Sequence, residues 1–459
     1  MSTTRGVEPL VVTGPITGGA HGWPFAAAVD DLAAIGYVEE EFFLAGRAPR
    51  YRPTAPLGAD GRWPVEVAGH EAFRTRVLVQ RPSDPARFNG TVVVAWNNVT
   101  AGFELLADVS SALDQGFAFA CVSAQSVGID GVGQRPLGLR AWDPERYGEL
   151  SHPGDVYSYG IFTEAAQAFG PARTPGAPDP LRGLAVERLL ALGASQSAGR
   201  LATYVNAVQP VVGVFDGFLL LVHFGSGTAL EADDVFDATA PAPPPIFRNR
   251  TRLRDDLSVP VMVVNSETET MAYLGSRQPD TDLFRFWEVA GASHGPRPQV
   301  ERRAVKLTRD GLTQPPRAGG PPSEIAYAPV AGAAMAHLQR WMTGGPPPPS
   351  QAPITVTGDP PTIERDEHRN ARGGVRLPQI EVPIAHNTGL SPVPGLGGLG
   401  GHSEPFDATT LAALYSNRQV FAERFAVAAR ASVEAGVLSA ADADLLVAEA
   451  ARAPIPATG

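Results

Sequence analysis

The sequence predicts an α/β fold, a mostly parallel central sheet with helices on both faces. Three observations carry this. Short apolar runs rich in Val, Leu and Phe recur between residues 73 and 290. Helical patterns of about a dozen residues separate several of them. The inner runs are continuously apolar instead of alternating, as strands buried on both faces are.

Taken in order, Phe73–Pro82 (FRTRVLVQRP) alternates like a half-buried strand, and Gly90–Trp96 (GTVVVAW) is continuous and β-branched. A helical pattern covers Phe103–Gln115, and Phe117–Ala124 (FAFACVSA) reads as the next strand. A helix is expected over Tyr157–Phe169, a strand at Arg188–Leu192 and a helix over Gln196–Val208. Strands follow at Gly217–Phe224, Val259–Asn265 and Phe284–Ala290, then a helix at Val330–Thr343. Proline-rich chain interrupts the pattern twice, at Ala240–Phe247 within a long insertion and at Gly344–Pro353. Near the end, Ser416 opens a Ser-x-x-Gln capping box before a helix that Gly436 stops, and SAADADLLVAEAARA reads as a last helix. The expected divisions are an N-terminal extension over 1–69 packed on the core, a core over 70–345 with an insertion at about 226–258, and an irregular and helical extension of the same unit over 346–459.

The chain has 459 residues, 44% hydrophobic and 19% charged, which is a globular composition. Lys and Arg number 37 against 48 Asp and Glu, a net charge of −11. An acidic chain without basic clusters argues against nucleic acid and anionic membranes as partners. Cys121 is the single cysteine, so neither an intramolecular disulfide nor a cysteine zinc site is available. There is no His-Glu-x-x-His, and no metal or organic cofactor is expected. The opening MSTTRGVEPLVVTGPITGG has neither a basic start nor an apolar core, and no apolar stretch is long enough to span a bilayer. A soluble, cytoplasmic protein is expected.

The chemistry centres on LLALGASQSAGRLATY, residues 189–204. A Walker loop would need Gly-Lys-Ser/Thr after Gly193, and none follows. The literal Gly-x-Gly-x-x-Gly at Gly395, Gly397 and Gly400 has neither a strand before it nor a helix after it, so it reads as a loop. Ser195 taken alone is an ordinary helix N-cap. Its neighbours favour a different role. Where a nucleophile stands on a sharp strand-to-helix turn, the residues two before and two after it must be small. Here they are Gly193 and Ser197, with Ala194, Ala198 and Gly199 adding room. Ser197 replaces the glycine of Gly-x-Ser-x-Gly but is still small.

Three further stretches complete the pattern. In FWEVAGASHG a strand ends and His294 follows a short loop, where a general base is expected; His223 ends another strand and is a candidate to line a pocket. Beyond the strand VPVMVVN lie Glu267 and Glu269, so that serine, acid and histidine occur in the order of an α/β-hydrolase triad. Either glutamate alone reads as a solvated loop carboxylate. Glu269 matches the spacing of a triad acid better, and Glu267 is the alternative that braces the loop. Asp216 precedes its strand and belongs at the other end of the sheet. For an oxyanion hole the backbone N–H groups of Gln196 and of Asn97 or Asn98, in WNNVTAGFE, are the candidates; otherwise that stretch is a polar turn.

WNNVTAGFE, HPGDVYSYGIF, GASQSAGRL and WEVAGASH, together with RDEHRNARGGVRLP and VPIAH, make the chain resemble the α/β-hydrolase superfamily. It is similar in particular to bacterial α/β-hydrolase-domain proteins with a Gly-x-Ser-Gln-Ser elbow. The likeness covers nearly the whole chain. It implies ester hydrolysis in general, on a small-molecule ester, and makes the 226–258 insertion a lid with Val235, Phe236, Ile246 and Phe247 as an apolar wall. HPGDVYSYG reads as structural, with Tyr157 or Tyr159 as candidates to border the pocket. Acyl transfer would use the same residues, and a silent ligand-binding homologue would have lost one of them. Acyl group, alcohol and oligomeric state stay open at this level.

Overall fold

The computed structural model describes residues 10–133, 136–173, 178–231, 250–312, 320–393 and 395–455. The chain divides into two compact units. One comprises Met1–Ala107, Leu113–Val261 and Gly275–Gln278; the other comprises Asp108–Ala112, Met262–Leu274 and Pro279–Gly459. The expected lid residues Val235, Phe236, Ile246 and Phe247 lie outside the described residues.

The first unit holds β1 (Val11–Thr13), β2 (Tyr37–Pro53), β3 (Val65–Pro82), β4 (Thr91–Trp96), β5 (Ala118–Val122), β6 (Arg188–Ala194) and β7 (Gly217–Leu221), in the spatial order β1-β2-β3-β5-β4-β6-β7. From β5 through β7 the strands are parallel, and β4 is central: Val94 lies opposite Ala120 on one side and Ala191 on the other. Every residue of β4, β5 and β7 is buried, which is why these runs do not alternate. Helix α1 (Ser158–Phe169) packs on β2, β4 and β5, and α2 (Gln196–Thr203) packs on β6 and β7.

The sequence did not point to β2. This strand of 17 residues forms a long antiparallel hairpin with β3, which begins at Val65, ahead of the Phe73–Pro82 run. Its Glu39-Glu40-Glu41 triplet hides it, because a run of acids does not read as a strand. Each acid has a partner. Glu39 accepts from Gln80 (2.7 Å), Glu40 pairs with Arg81 (2.7 Å) and Glu41 with Arg76 (2.6 Å). Arg76 is fully buried; it also reaches Glu104 (3.0 Å) and donates to the Phe25 carbonyl (2.6 Å). Arg146 (2.6 Å) and the Tyr147 hydroxyl (2.8 Å) complete the shell of Glu41. Burial alone would lower the proton affinity of Arg76, but Tyr147, Glu41 and Glu104 outweigh it and hold the guanidinium charged. Arg76→Met is expected to leave these carboxylates under-paired and to cost about 3–5 kcal/mol, read as a lower urea midpoint.

The expected helix over Phe103–Gln115 is a correction. Only Ser110–Gln115 is helical, as a 3-10 turn. Upstream, Asn98 and Leu105 exchange two backbone hydrogen bonds (3.0 and 2.7 Å), and Glu104 is drawn in to Arg76 and Asn97. These contacts override the helical pattern.

The second unit holds β8 (Val261–Ser266, from Met262 onward) beside β9 (Phe284–Val289), then α3 (Arg297–Arg309), α4 (Ala328–Met342), the antiparallel pair β10 (Ala385–Thr388) and β11 (His402–Pro405), α5 (Arg418–Glu434) and α6 (Ala440–Ala450). The proline-rich 344–353 stretch lies along β9. Pro348 and Pro349 offer carbonyls to Arg285 (2.7 Å) and Trp287 (2.9 Å). Asn417, not Ser416, caps α5, accepting from the Val420 N–H at 2.9 Å. Helices α5 and α6 bury Tyr415, Phe421, Phe425 and Ile455 in one apolar cluster. Gly395–Gly400 is a 3-10 turn leading into β11. Among the described residues no helix is long and apolar enough to cross a membrane, and no group of His, Cys, Asp and Glu could hold a metal ion.

Candidate active site

In the first unit the feature of interest is the turn between β6 and α2. Ser195 has φ 62 and ψ −121, and its side chain makes no cap hydrogen bond. An N-cap serine takes extended φ and accepts from the helix; Ser195 does neither. A non-glycine residue in that region stores about 1–3 kcal/mol of strain, so the surroundings must impose it. They do so at several points. The Ser195 N–H donates to the Leu221 carbonyl at the end of β7 (2.9 Å). A Cβ on Gly193 would lie 2.6 Å from the Ser197 carbonyl oxygen, so the strand and helix approach too closely for any side chain there. Ser197 uses its hydroxyl to close the turn, accepting from the Ala194 N–H (2.9 Å) and donating to the Ala194 carbonyl (2.8 Å). That is the reason a serine serves where glycine is usual.

The HPGDVYSYG stretch braces this turn. Asp155 accepts from the backbone and hydroxyl of Ser126 (2.7 and 2.8 Å) and pairs with the fully buried Arg200 of α2 (2.9 Å). His152 bonds the Ala124 carbonyl (3.0 Å), and burial pushes its proton affinity down. The buried Tyr159 hydroxyl is engaged with Thr228 (2.6 Å), and His223 is buried with its Nε2 on the Ser226 carbonyl (3.0 Å). Asp216 accepts from the Leu189 N–H (2.8 Å), at the start of β6 and away from the elbow end.

The oxyanion candidates divide. As the first residue of α2, Gln196 has an N–H with no intrahelical partner. Its side-chain amide pairs with Gln125 (2.6 and 3.1 Å), and Gln125 also donates to the Asn97 carbonyl (3.3 Å). The backbone N–H groups of Asn97 and Asn98 are a correction. Asn97 donates to Val122 (3.2 Å) and Asn98 to Leu105 (3.0 Å), so both are engaged. The end of β5 takes the first, and the bridge that closes the loop takes the second. The Asn98 side chain instead donates to the Ala194 carbonyl (3.0 Å) and accepts from Thr100 (2.8 Å). Between these anchors, the Val99 N–H has no partner among the described residues. Nothing in the sequence singles out Val99.

In the second unit, β8 runs into a 3-10 turn at Glu267–Glu269, and the two glutamates diverge. Residues two apart on such a turn point roughly 240° apart. Glu269 is fully buried. One oxygen accepts from the Ser266 N–H and hydroxyl (2.9 and 2.6 Å); the other faces Nδ1 of His294 at 2.6 Å. A carboxylate on Nδ1 fixes the tautomer with a bare Nε2. The Thr268 hydroxyl accepts from the His294 N–H (3.0 Å) and donates to the Gly389 carbonyl (2.6 Å), which fixes the histidine backbone. Glu267 turns away, accepting from the Gly291 N–H (2.8 Å), the Thr388 hydroxyl (2.6 Å) and Arg365 (2.7 Å). Nothing in the sequence singles out Thr268 or Thr388, and the one signal for Arg365 is its place at the start of RDEHRNARGGVRLP.

The family model of the alpha/beta hydrolase domain matches residues 12–448. The chain belongs to the alpha/beta hydrolase domain family. No curated protein matches it significantly. Among solved structures this alpha/beta hydrolase is similar to a prolyl endopeptidase (12% identity, 55% of this chain and 35% of that one, TM-score 0.29). It is also similar to the esterase Est22 (12% identity, 61% and 78%, TM-score 0.30) and to prolyl oligopeptidase B of Galerina marginata (12% identity, 60% and 43%, TM-score 0.26). The chain spans about a third of the length of the first. At such TM-scores these likenesses add nothing to the family match, which together with the parallel β5-β4-β6-β7 sheet and its helices establishes the α/β-hydrolase fold.

Proposed function

We propose that this alpha/beta hydrolase is a serine hydrolase that cleaves a carboxylic ester of a small molecule through an acyl-enzyme. The observation that carries the reading is Ser195 held at φ 62 without a capping bond, a strained conformation that a structural serine does not need. Ser195 attacks the acyl carbonyl. His294 takes its proton through Nε2 and returns it to the leaving alcohol. Glu269 orients the imidazole and stabilises its protonated form. The N–H groups of Gln196 and Val99 hold the oxyanion, with Val99 in place of Asn97 or Asn98. Water then releases the acid. No step calls for a metal or organic cofactor, and the net charge of −11 suits a soluble, cytoplasmic protein acting on small molecules.

The test is a hydrolysis screen over an ester library with labelling by a serine-directed fluorophosphonate. Hydrolysis of at least one ester class, abolished by the probe, is expected. Transfer of the acyl group to an added alcohol or amine in preference to water would make the protein an acyltransferase. Failure to label would make it a binding homologue.

A further inference from the structure

The triad reading leaves the RDEHRNARGGVRLP stretch without a role. Its first residue, Arg365, reaches the fully buried Glu267 at 2.7 Å, two residues before the triad acid. The loop behind it is built to present that guanidinium. Asp366 accepts from the N–H groups of His368 and Asn370 (2.9 Å each) and pairs with Arg376 (2.9 Å). Asn370 accepts from the Asn387 N–H on β10 (2.8 Å), and Thr388 at the end of β10 donates to the same Glu267 carboxylate (2.6 Å). The other oxygen of Glu267 accepts from Gly291 in the loop that carries His294 (2.8 Å).

Two buried carboxylates on one short turn would both attract a proton to His294. Only Glu269 touches it. We propose that Arg365 is a positioning residue of the histidine–acid pair: it neutralises Glu267, so that His294 responds to one carboxylate and not two. This rests on the triad reading for its catalytic consequence, not for its electrostatics. The other charged or titratable groups facing this cluster do not take that role. His386 on β10 is held below its usual proton affinity by burial, then by Arg369 and Arg365. Glu404 on β11 is paired with Arg369. Tyr327, before α4, is pushed up by burial and stays neutral; around it are Gln299, Asp108, Arg303 and Glu269 itself.

The experiment is an NMR titration of the histidine ring signals in the full chain, with His294 assigned by its loss in His294→Asn. In Arg365→Gln the uncompensated Glu267 adds negative field, and the His294 midpoint rises above that of the wild type. In Glu267→Gln the uncompensated arginine lowers it by a similar amount, and the double variant returns to the wild-type midpoint. Arg365→Lys keeps the charge and the midpoint. The acid limb of kcat/KM moves with each midpoint. Midpoints that stay put in both single variants, or move the same way in both, overturn the proposal and leave a purely mechanical clamp. Should Arg365→Gln not fold, Glu267→Gln and Arg365→Lys carry the test. If the midpoints move as expected while Ser195→Ala keeps its esterase activity, the triad reading fails and this one stands.

Discussion

Ser195→Ala is expected to lose all fluorophosphonate labelling and about 10⁶-fold in turnover, the scale seen when a triad nucleophile is removed. The protein should remain folded, because alanine carries the same Cβ and the same strain at φ 62. Mass spectrometry of the labelled wild type should find one adduct, on Ser195. Ser123, Ser226 and Ser293 are buried and out of reach of the probe. A second comparison isolates the strain. Ser195→Gly abolishes activity equally but relieves the left-handed conformation, so its urea midpoint should exceed that of Ser195→Ala, a gain of about 1–3 kcal/mol. Equal midpoints would mean that the turn is unstrained and that the observation carrying the functional reading is lost. Labelling that persists in Ser195→Ala would place the nucleophile elsewhere.

Glu269→Gln is expected to cut turnover by about 10⁴-fold, since a glutamine on Nδ1 permits the wrong tautomer and removes the charge that steadies the imidazolium. Glu267→Gln removes a carboxylate that has no contact with His294, so its loss of turnover should be far smaller. Steady-state kinetics of both variants across pH decide the matter. If Glu267→Gln proves the more damaging, the acid is misassigned despite its hydrogen bond.

Much of the core and of the site was legible in the sequence because it depends on local rules. Continuous β-branched and aliphatic runs mark strands buried on both faces, and β4 to β9 overlap the runs that predicted them. The small residues around Ser195 announce a turn too tight for side chains, and a Cβ at Gly193 would stand 2.6 Å from the Ser197 carbonyl oxygen. His294 after a strand, and a glutamate pair after another, follow from where this kind of sheet places its loops. The preference for Glu269 came from spacing, and its hydrogen bond to His294 is a geometric fact that the sequence did not contain.

What escaped the sequence are pairings between distant segments. Glu39, Glu40 and Glu41 look like a solvated run until β3 supplies Gln80, Arg81 and Arg76 opposite them, and only then is β2 a strand. The Phe103–Gln115 pattern looks helical until Leu105 bridges Asn98 and takes the N–H assigned to the oxyanion. Arg365 lies 98 positions from Glu267 in the numbering, and nothing local says that they meet. By itself the sequence determined the strand and helix periods, the tight serine turn and the chain order of serine, acid and histidine, because each is fixed by steric and hydrophobic preferences over a few residues. The tertiary structure alone decided which carboxylate faces the histidine, which N–H groups remain available and which charges are cancelled, because hydrogen bonds and ion pairs depend on ångström-scale proximity between segments that the chain keeps far apart.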